Sequence, residues 1–343
     1  MTGELKNPGD YYALTLADEP IIVLRGDDSE LRVLSNICRH RGTPLLDDGF
    51  GQINKYITCP YHAWAYSKEG NLEAIPYNES IEVDHSQHQL TRFKVATWNG
   101  LVFTSLNNKV AALEERVAAI NNYLTQFAPE SFNQIRRGET EYWNANWKLA
   151  MENAMESYHL FQVHENTLQP WSPTSGAYYI AGSSEWTLTG GTTQSTRELI
   201  EQTLGPDHDE LLEHYVLVAL PPSFVGIVSY GSFGWLSAHP VDENTTRIRS
   251  GATYFGQEAQ PSDALEQLDD FTRSFFEEDK AICERVQRGM RSRHAKGGKL
   301  VDMERVVVDF HNYLATRLGQ LPATPLFEDT AAKRWKSTKR QKT

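Results

Sequence analysis

The chain has 343 residues, with 33 Lys and Arg against 45 Asp and Glu and a formal net charge of −12. That length suits about two domains, and the acidic balance argues against nucleic acid or an anionic membrane surface as the main partner, because those surfaces select basic proteins. Three cysteines are too few for a disulfide framework, no apolar run approaches the roughly 20 residues of a membrane helix, and Met1 leads into a polar stretch unlike a signal peptide, so the expectation is a cytoplasmic protein without a membrane partner.

From Tyr11 to about Leu106 the texture is one of short runs between turn signals. Ile21–Leu24 precedes Gly26-Asp27-Asp28, Leu31–Leu34 and Lys55–Thr58 follow, Ala65-Tyr66 precedes Glu69-Gly70-Asn71, and Leu101–Thr104 closes the series. Such spacing predicts a small all-β domain over 1–106. Two loops between these runs carry chemistry: Cys38-Arg39-His40 and Cys59-Pro60-Tyr61-His62. Zinc fingers usually keep like ligands together, as C-x(2–4)-C and H-x(3–5)-H, whereas each loop here offers one sulfur and one imidazole. The pattern resembles a Rieske [2Fe-2S] site, in which two Cys hold one iron and two His the other. A structural zinc site is the alternative. Neither loop holds the extra cysteine of the disulfide-bearing Rieske proteins, so the resemblance is to the lower-potential, oxygenase-type centre.

From Val110 the apolar period changes to about 3.6, with Ala111, Leu113, Val117, Ile120 and Leu124 on one helix face, and a second domain is predicted over 107–330. It continues with a helix around Trp147 to Val163, β-like stretches at 177–188, 215–236 and 246–255, and long helices from about Pro261 to Gly289 and Asp302 to Leu318. Helices against an antiparallel sheet make this an α+β domain. Residues 331–343 form a basic tail, read as solvated chain. No G-x-G-x-x-G or P-loop occurs, so electrons are expected from a separate NAD(P)H-dependent reductase or a ferredoxin.

The segment Asn153-Ala154-Met155-Glu156-Ser157-Tyr158-His159-Leu160-Phe161-Gln162-Val163-His164 brings two histidines and a carboxylate close together. Two His and one carboxylate make a facial triad that leaves Fe(II) positions open for O2 and substrate. On an ideal helix, five residues leave the two rings about 140° apart, so the helix should end or distort between them. Glu156 lies three residues before His159, the same side of a helix.

With both constellations in hand, the chain resembles, over nearly its whole length, the large (alpha) subunit of the Rieske non-haem iron oxygenases. The resemblance implies a small all-β Rieske domain followed by a helix-grip, START-like catalytic domain. It implies a [2Fe-2S] cluster on Cys38, His40, Cys59 and His62, and a mononuclear Fe(2+) on His159, His164 and a carboxylate from Glu277-Glu278-Asp279. Asp279 is the preferred ligand and Glu278 the reserve. Asn153 and Glu156 fall in the family's E-N-x-x-E/D-x-Y-H-x4-H motif, where Glu156 would link iron-bound His159 to His62 of the partner subunit; a homotrimer follows. Substrate would be a small molecule oxidised with O2.

Ring dioxygenases of this kind mostly carry Asp at the bridge and one more residue after the Asn. Glu156 and the shorter spacing resemble the branch acting on quaternary ammonium compounds such as choline, glycine betaine, stachydrine or carnitine. Hydroxylation of an aromatic ring or aromatic carboxylate is the alternative reaction, and an electron-transfer or sensor protein without turnover is the alternative class. Tyr142, Trp143, Tyr158 and Trp171 are candidates for a cation cage, and Val225, Ile227, Tyr230 and Phe233 for facing the iron. Family members usually carry some tens of residues before the segment like Pro8–Tyr12, so the chain is expected to be a natural short form or a truncated one.

Overall fold

A computed structural model describes residues 1–192, 194–256 and 262–319. The expected basic tail over 331–343 lies outside the described residues. The chain divides into two compact units, Met1–Val117 and Ala118–Thr343.

The first unit is built from strands β1 (Asp10–Leu16), β2 (Glu19–Arg25), β3 (Leu31–Ser35), β4 (Gly49–Gln52), β5 (Ile57–Thr58), β6 (Ala65–Tyr66), β7 (Leu72–Ala74), β8 (Arg92–Trp98) and β9 (Leu101–Ser105). Among the described residues they form a six-stranded sheet, ordered β4-β1-β2-β3-β8-β9, and a three-stranded sheet β5-β6-β7. The pleat explains the composition of β2, because successive side chains leave opposite faces. Ile22 and Leu24 join Leu34, Ile57, Tyr66 and Leu72 in one core, and Ile21 joins Leu14 and Val33 in another. Full burial of each such side chain stabilises by about 1.5–3 kcal/mol. Cys38 and Cys59 belong to the first of these cores, so the two loops that carry them are anchored in packed side chains.

Helix α1 (Leu113–Leu124) spans the division and buries Val117, Ile120 and Leu124. Next come β10 (Gln134–Trp143), α2 (Trp147–Ala154), α3 (Leu160–Val163), β11 (Tyr178–Gly182), β12 (Thr187–Thr192) and α4 (Gln194–Leu204). Strands β13 (His214–Leu220), β14 (Phe224–Ser229), β15 (Ser232–Pro240) and β16 (Thr246–Tyr254) follow, and helices α5 (Ser262–Met290) and α6 (Arg305–Arg317) end the described chain. Among the described residues, the strands make one seven-stranded antiparallel sheet, ordered β10-β16-β15-β14-β13-β12-β11. Its core pairs Trp143, Leu217, Ala219, Val225, Ala238 and Ile248 from the sheet with Met151 of α2 and its C-cap Met155, Phe276 and Cys283 of α5, and Val306, Val307 and Phe310 of α6. This is the expected α+β arrangement of helices gripped by an antiparallel sheet. Val216 and Val218, on the other face of β13, are also fully buried, which is why that strand reads as a continuous apolar run instead of an alternating one.

Two parts of the pattern differ from expectation. Strand β10 and helix α4 lie in stretches for which the sequence reading above names no element. The single helix expected from Trp147 to Val163 is two: α2 ends at Ala154, with Met155 as its C-cap, and α3 begins only after His159.

Candidate metal centres

The two cysteine loops have the same backbone plan. The amide of Gly42 donates to the Cys38 carbonyl at 3.0 Å and that of Ala63 to the Cys59 carbonyl at 3.0 Å. The Cys38 amide donates to Thr43 and the Cys59 amide to Trp64. Both fourth residues sit in the left-handed region, Gly42 at φ 75° and Ala63 at φ 53°, a conformation that glycine takes freely and alanine at a cost of about 1 kcal/mol. The turns bury both sulfurs, with Cys38 and Cys59 only 2% and 3% exposed, and leave His40 and His62 on the surface.

The imidazoles lie with ring centroids 4.8 Å apart. Trp64 stacks flat on His40 at 4.8 Å, and Tyr61 lies 3.8 Å from His62 with the Arg41 guanidinium beside it. Tyr66 accepts the Arg39 amide at 2.9 Å, so its own hydroxyl hydrogen is available to the Cys38 sulfur 3.4 Å away. Burial raises the Cys38 pKa against the lowering effect of that phenol, and neighbouring Cys59 adds to the rise. Two facing, buried, unbridged sulfurs become comfortable as thiolates only when a cation neutralises them.

In the second unit, His159 caps the start of α3 and His164 its end, so the helix ends on both histidines and the 140° problem of a continuous helix disappears. Glu156 sits in the break, not on a helix as its spacing suggested, and reaches His159 by folding back. One of its oxygens accepts the amides of Tyr158 and His159. The other lies 2.6 Å from His159 Nδ1. Thr174 closes the loop from the far side: its hydroxyl accepts the Phe161 amide and lies 3.1 Å from the Ser157 carbonyl.

Helix α5 brings Asp279 to both rings. Its Oδ1 is 2.9 Å from His164 Nε2 and 3.4 Å from His159 Nε2. Each Nδ1 faces a different carboxylate, Glu156 for His159 and Glu278, at 2.7 Å, for His164. His164 is wholly buried and Asp279 is 9% exposed. Burial pulls the pKa of both histidines down, but hydrogen bonds win. Asp279 and Glu156 lift His159 to about 9, Asp279 and Glu278 raise His164, and the two rings hold the Asp279 carboxyl below its usual range despite burial. The pocket thus attracts positive charge, as a metal-ligand set does.

Among the described residues, His159, His164 and Asp279 are the one group of metal-type side chains whose ligand atoms all lie within 4.8 Å of one another. They suit a single ion. The Cys38, His40, Cys59 and His62 quartet offers one sulfur and one imidazole from each loop, a donor set that suits two ligand pairs on two irons.

Asn153 lies on the last turn of α2, its side-chain oxygen buried and without a hydrogen bond. The four aromatic residues do not form a cage. Adjacent positions on β10 point Tyr142 and Trp143 to opposite faces, 56% and 2% exposed, and Trp171 is 64% exposed. Of the four residues considered for the iron-facing side, Val225 packs on the helix-facing core and Ile227 shares its face by alternation. Phe233 pairs with Val228 on the opposite face, and Tyr230 lies in the turn between β14 and β15. Sequence reasoning missed Thr167 and Thr174, and of the preferred ligand and its reserve the structure sets Asp279 against both Nε2 atoms and Glu278 against an Nδ1.

Residues 130–320 match the ring hydroxylating alpha subunit (catalytic domain) family, and residues 1–98 match the Rieske [2Fe-2S] domain. The chain belongs to the ring-hydroxylating oxygenase alpha-subunit family. This oxygenase is an oxidoreductase with a Rieske [2Fe-2S] cluster and a mononuclear iron, and it works on an organic substrate with O2 and an external electron donor. It is 28% identical over 327 residues to the carnitine monooxygenase oxygenase subunit of Escherichia coli (strain K12), covering 92% of this chain and 85% of that one. The glycine betaine monooxygenase oxygenase subunit of Chromohalobacter salexigens is 32% identical over 168 residues, 49% of this chain and 37% of the relative. The solved quaternary ammonium Rieske monooxygenase CntA in complex with gamma-butyrobetaine superposes with a TM-score of 0.74 at 25% identity, covering 92% of this chain and 86% of that one. No described helix of the oxygenase is long and apolar enough to cross a membrane.

Proposed function

We propose that this oxygenase monooxygenates a small quaternary ammonium compound, with the cluster held by Cys38, His40, Cys59 and His62 and the iron by His159, His164 and Asp279. We divide it functionally into a cluster-bearing part, 1–106, an iron-bearing part, 107–330, and a basic tail, 331–343. What carries the reading is the convergence of both Nε2 atoms on one Asp279 oxygen in a chain similar over 92% of its length to a carnitine monooxygenase subunit. When bound, the iron supplies O2 activation and the cluster single electrons.

The protein's own residues do the rest. Glu156 and Glu278 fix each imidazole as the tautomer with hydrogen on Nδ1, leaving Nε2 free for the metal. Phe275, edge-on to His164 at 6.4 Å, and the apolar core behind Met151 and Met155 exclude water. The carbon beside the cationic nitrogen takes one oxygen atom of O2, two electrons and two protons carry the other to water, and the resulting cationic carbinol loses its hydroxyl proton as the C–N bond breaks, giving an aldehyde and a tertiary amine. Glu156 joins His159 to His62 of the partner subunit in a cytoplasmic homotrimer, fed by a separate reductase or ferredoxin.

The test is O2 uptake by the purified oxygenase with a generic reductase, screened over quaternary ammonium and aromatic carboxylate compounds. The expected result is uptake stimulated by carnitine- or betaine-like compounds with release of an amine or formaldehyde. Uptake with aromatic carboxylates alone, yielding a phenol or diol, overturns the substrate assignment.

A further inference from the structure

We infer that Glu278 and Thr167 form a clamp on His164 Nδ1 that sets how tightly the mononuclear iron is held; this rests on the reading that His164 is an iron ligand. The geometry is local and complete. Glu278 Oε2 lies 2.7 Å from His164 Nδ1, and the Thr167 hydroxyl donates to that same oxygen at 2.6 Å. The Thr167 amide donates to the His164 carbonyl at 3.1 Å, so the turn that leaves the histidine returns the threonine to its own ring. The ring is wholly buried, and the Thr167 hydroxyl also lies 3.4 Å from its Nδ1, so Glu278 and Thr167 together occupy this edge.

Each contact has a chemical consequence. A ring that donates Nδ1–H to a carboxylate presents Nε2 as a stronger electron donor in a fixed direction. An oxygen accepting from both Nδ1 and Thr167 cannot swing round to the Nε2 side, where Asp279 already sits. Glu278 is therefore kept out of the coordination sphere by the bonds that make it useful. The two histidines are held differently. The Glu156 side chain, 10% exposed, also caps two backbone amides, whereas the Glu278 side chain is 33% exposed and is oriented by one hydroxyl. Glu278 is a positioning residue, acting on the metal only through His164.

The experiment is anaerobic titration of the cluster-containing protein with Fe(II) against a colorimetric chelator, with the cluster's visible absorption as the folding control. Glu278→Ala should weaken retention of the single iron by on the order of 10–100-fold, the usual effect of removing such a partner, with the cluster spectrum unchanged and turnover largely restored by excess Fe(II). Glu278→Gln, whose amide oxygen still accepts from Nδ1–H, should recover much of the affinity; Thr167→Val should fall between, and Thr167→Ser near the parent. Parent-like retention in Glu278→Ala, or no recovery in Glu278→Gln, overturns the clamp. Asp279→Ala separates this from failure of the site itself. If that variant keeps the iron while Glu278→Ala binds none at any Fe(II) concentration, Glu278 is the ligand and the assignment beneath the inference is wrong.

Discussion

At the scale of single residues, the iron site is organised by what touches the far side of each histidine. Glu156 and Glu278 each meet an Nδ1, yet they have different work to do. In the proposals above Glu278 acts within its own site, whereas Glu156 also couples to the partner subunit. Glu156→Ala should therefore take up iron when Fe(II) is in excess and keep its cluster, but lose product formation in a single turnover by on the order of 10–100-fold. Iron content and one-turnover product yield check this, and an unchanged yield would sink the coupling role. The mixed Cys/His couples were legible because their spacing differs from zinc-finger pairs, whereas the expected triad rested on the family resemblance as well, since H-x4-H is a weak motif by itself. The place of Glu278 was not legible. Glu277, Glu278 and Asp279 follow one another on α5, and neighbours on a helix point about 100° apart, so only the tertiary placement of His164 decides which carboxylate faces Nε2 and which Nδ1.

At the scale of elements, the sequence was readable where local pattern and packing agree, as in the 3.6 period of α5 and α6 and the short runs of β2 and β3. It was unreadable where side chains from elsewhere decide. No Gly or Pro marks the break between α2 and α3; Glu156 and Thr174 make it by taking the amides of Tyr158, His159 and Phe161. Strand β10 sits at the sheet edge and carries a register shift between Arg137 and Thr140, which breaks the alternation a strand is recognised by. The same sheet holds a pH-sensitive pair of strands. His239 on β15 lies opposite Arg247 and near Arg249 of β16, and burial, then those two cations, lower its pKa to about 4. A histidine held neutral when folded contributes stability above its unfolded pKa, near 6.5, that is lost as pH falls toward 4. The parent should lose up to about 3 kcal/mol over that window, and His239→Gln should lose correspondingly less. Thermal unfolding of both proteins at pH 7 and pH 4.5 measures the difference; identical acid losses would remove His239 as the cause.

At the scale of the molecule, the proposal places the cluster of one chain in service of the iron in another, through Glu156. Two inactive chains then make a decisive pair. Cys59→Ser removes a cluster ligand and leaves the iron triad, whereas Asp279→Ala removes an iron ligand and leaves the cluster. If electrons stayed within a chain, neither variant could turn over in any mixture, since no chain would hold both centres. If they cross a subunit boundary in a closed homotrimer, each boundary where an Asp279→Ala chain donates to a Cys59→Ser chain is productive. With equal co-expression and random assembly, half the donors carry a cluster and half the acceptors an iron, so activity should return to about a quarter of the parent's. The same two variants purified separately and mixed without dissociation should stay inactive, because closed rings do not exchange the missing partner. Recovery on co-expression and none on mixing requires electrons to pass between subunits that assemble together; inactivity in both confines the route to one chain and removes the reason for a trimer.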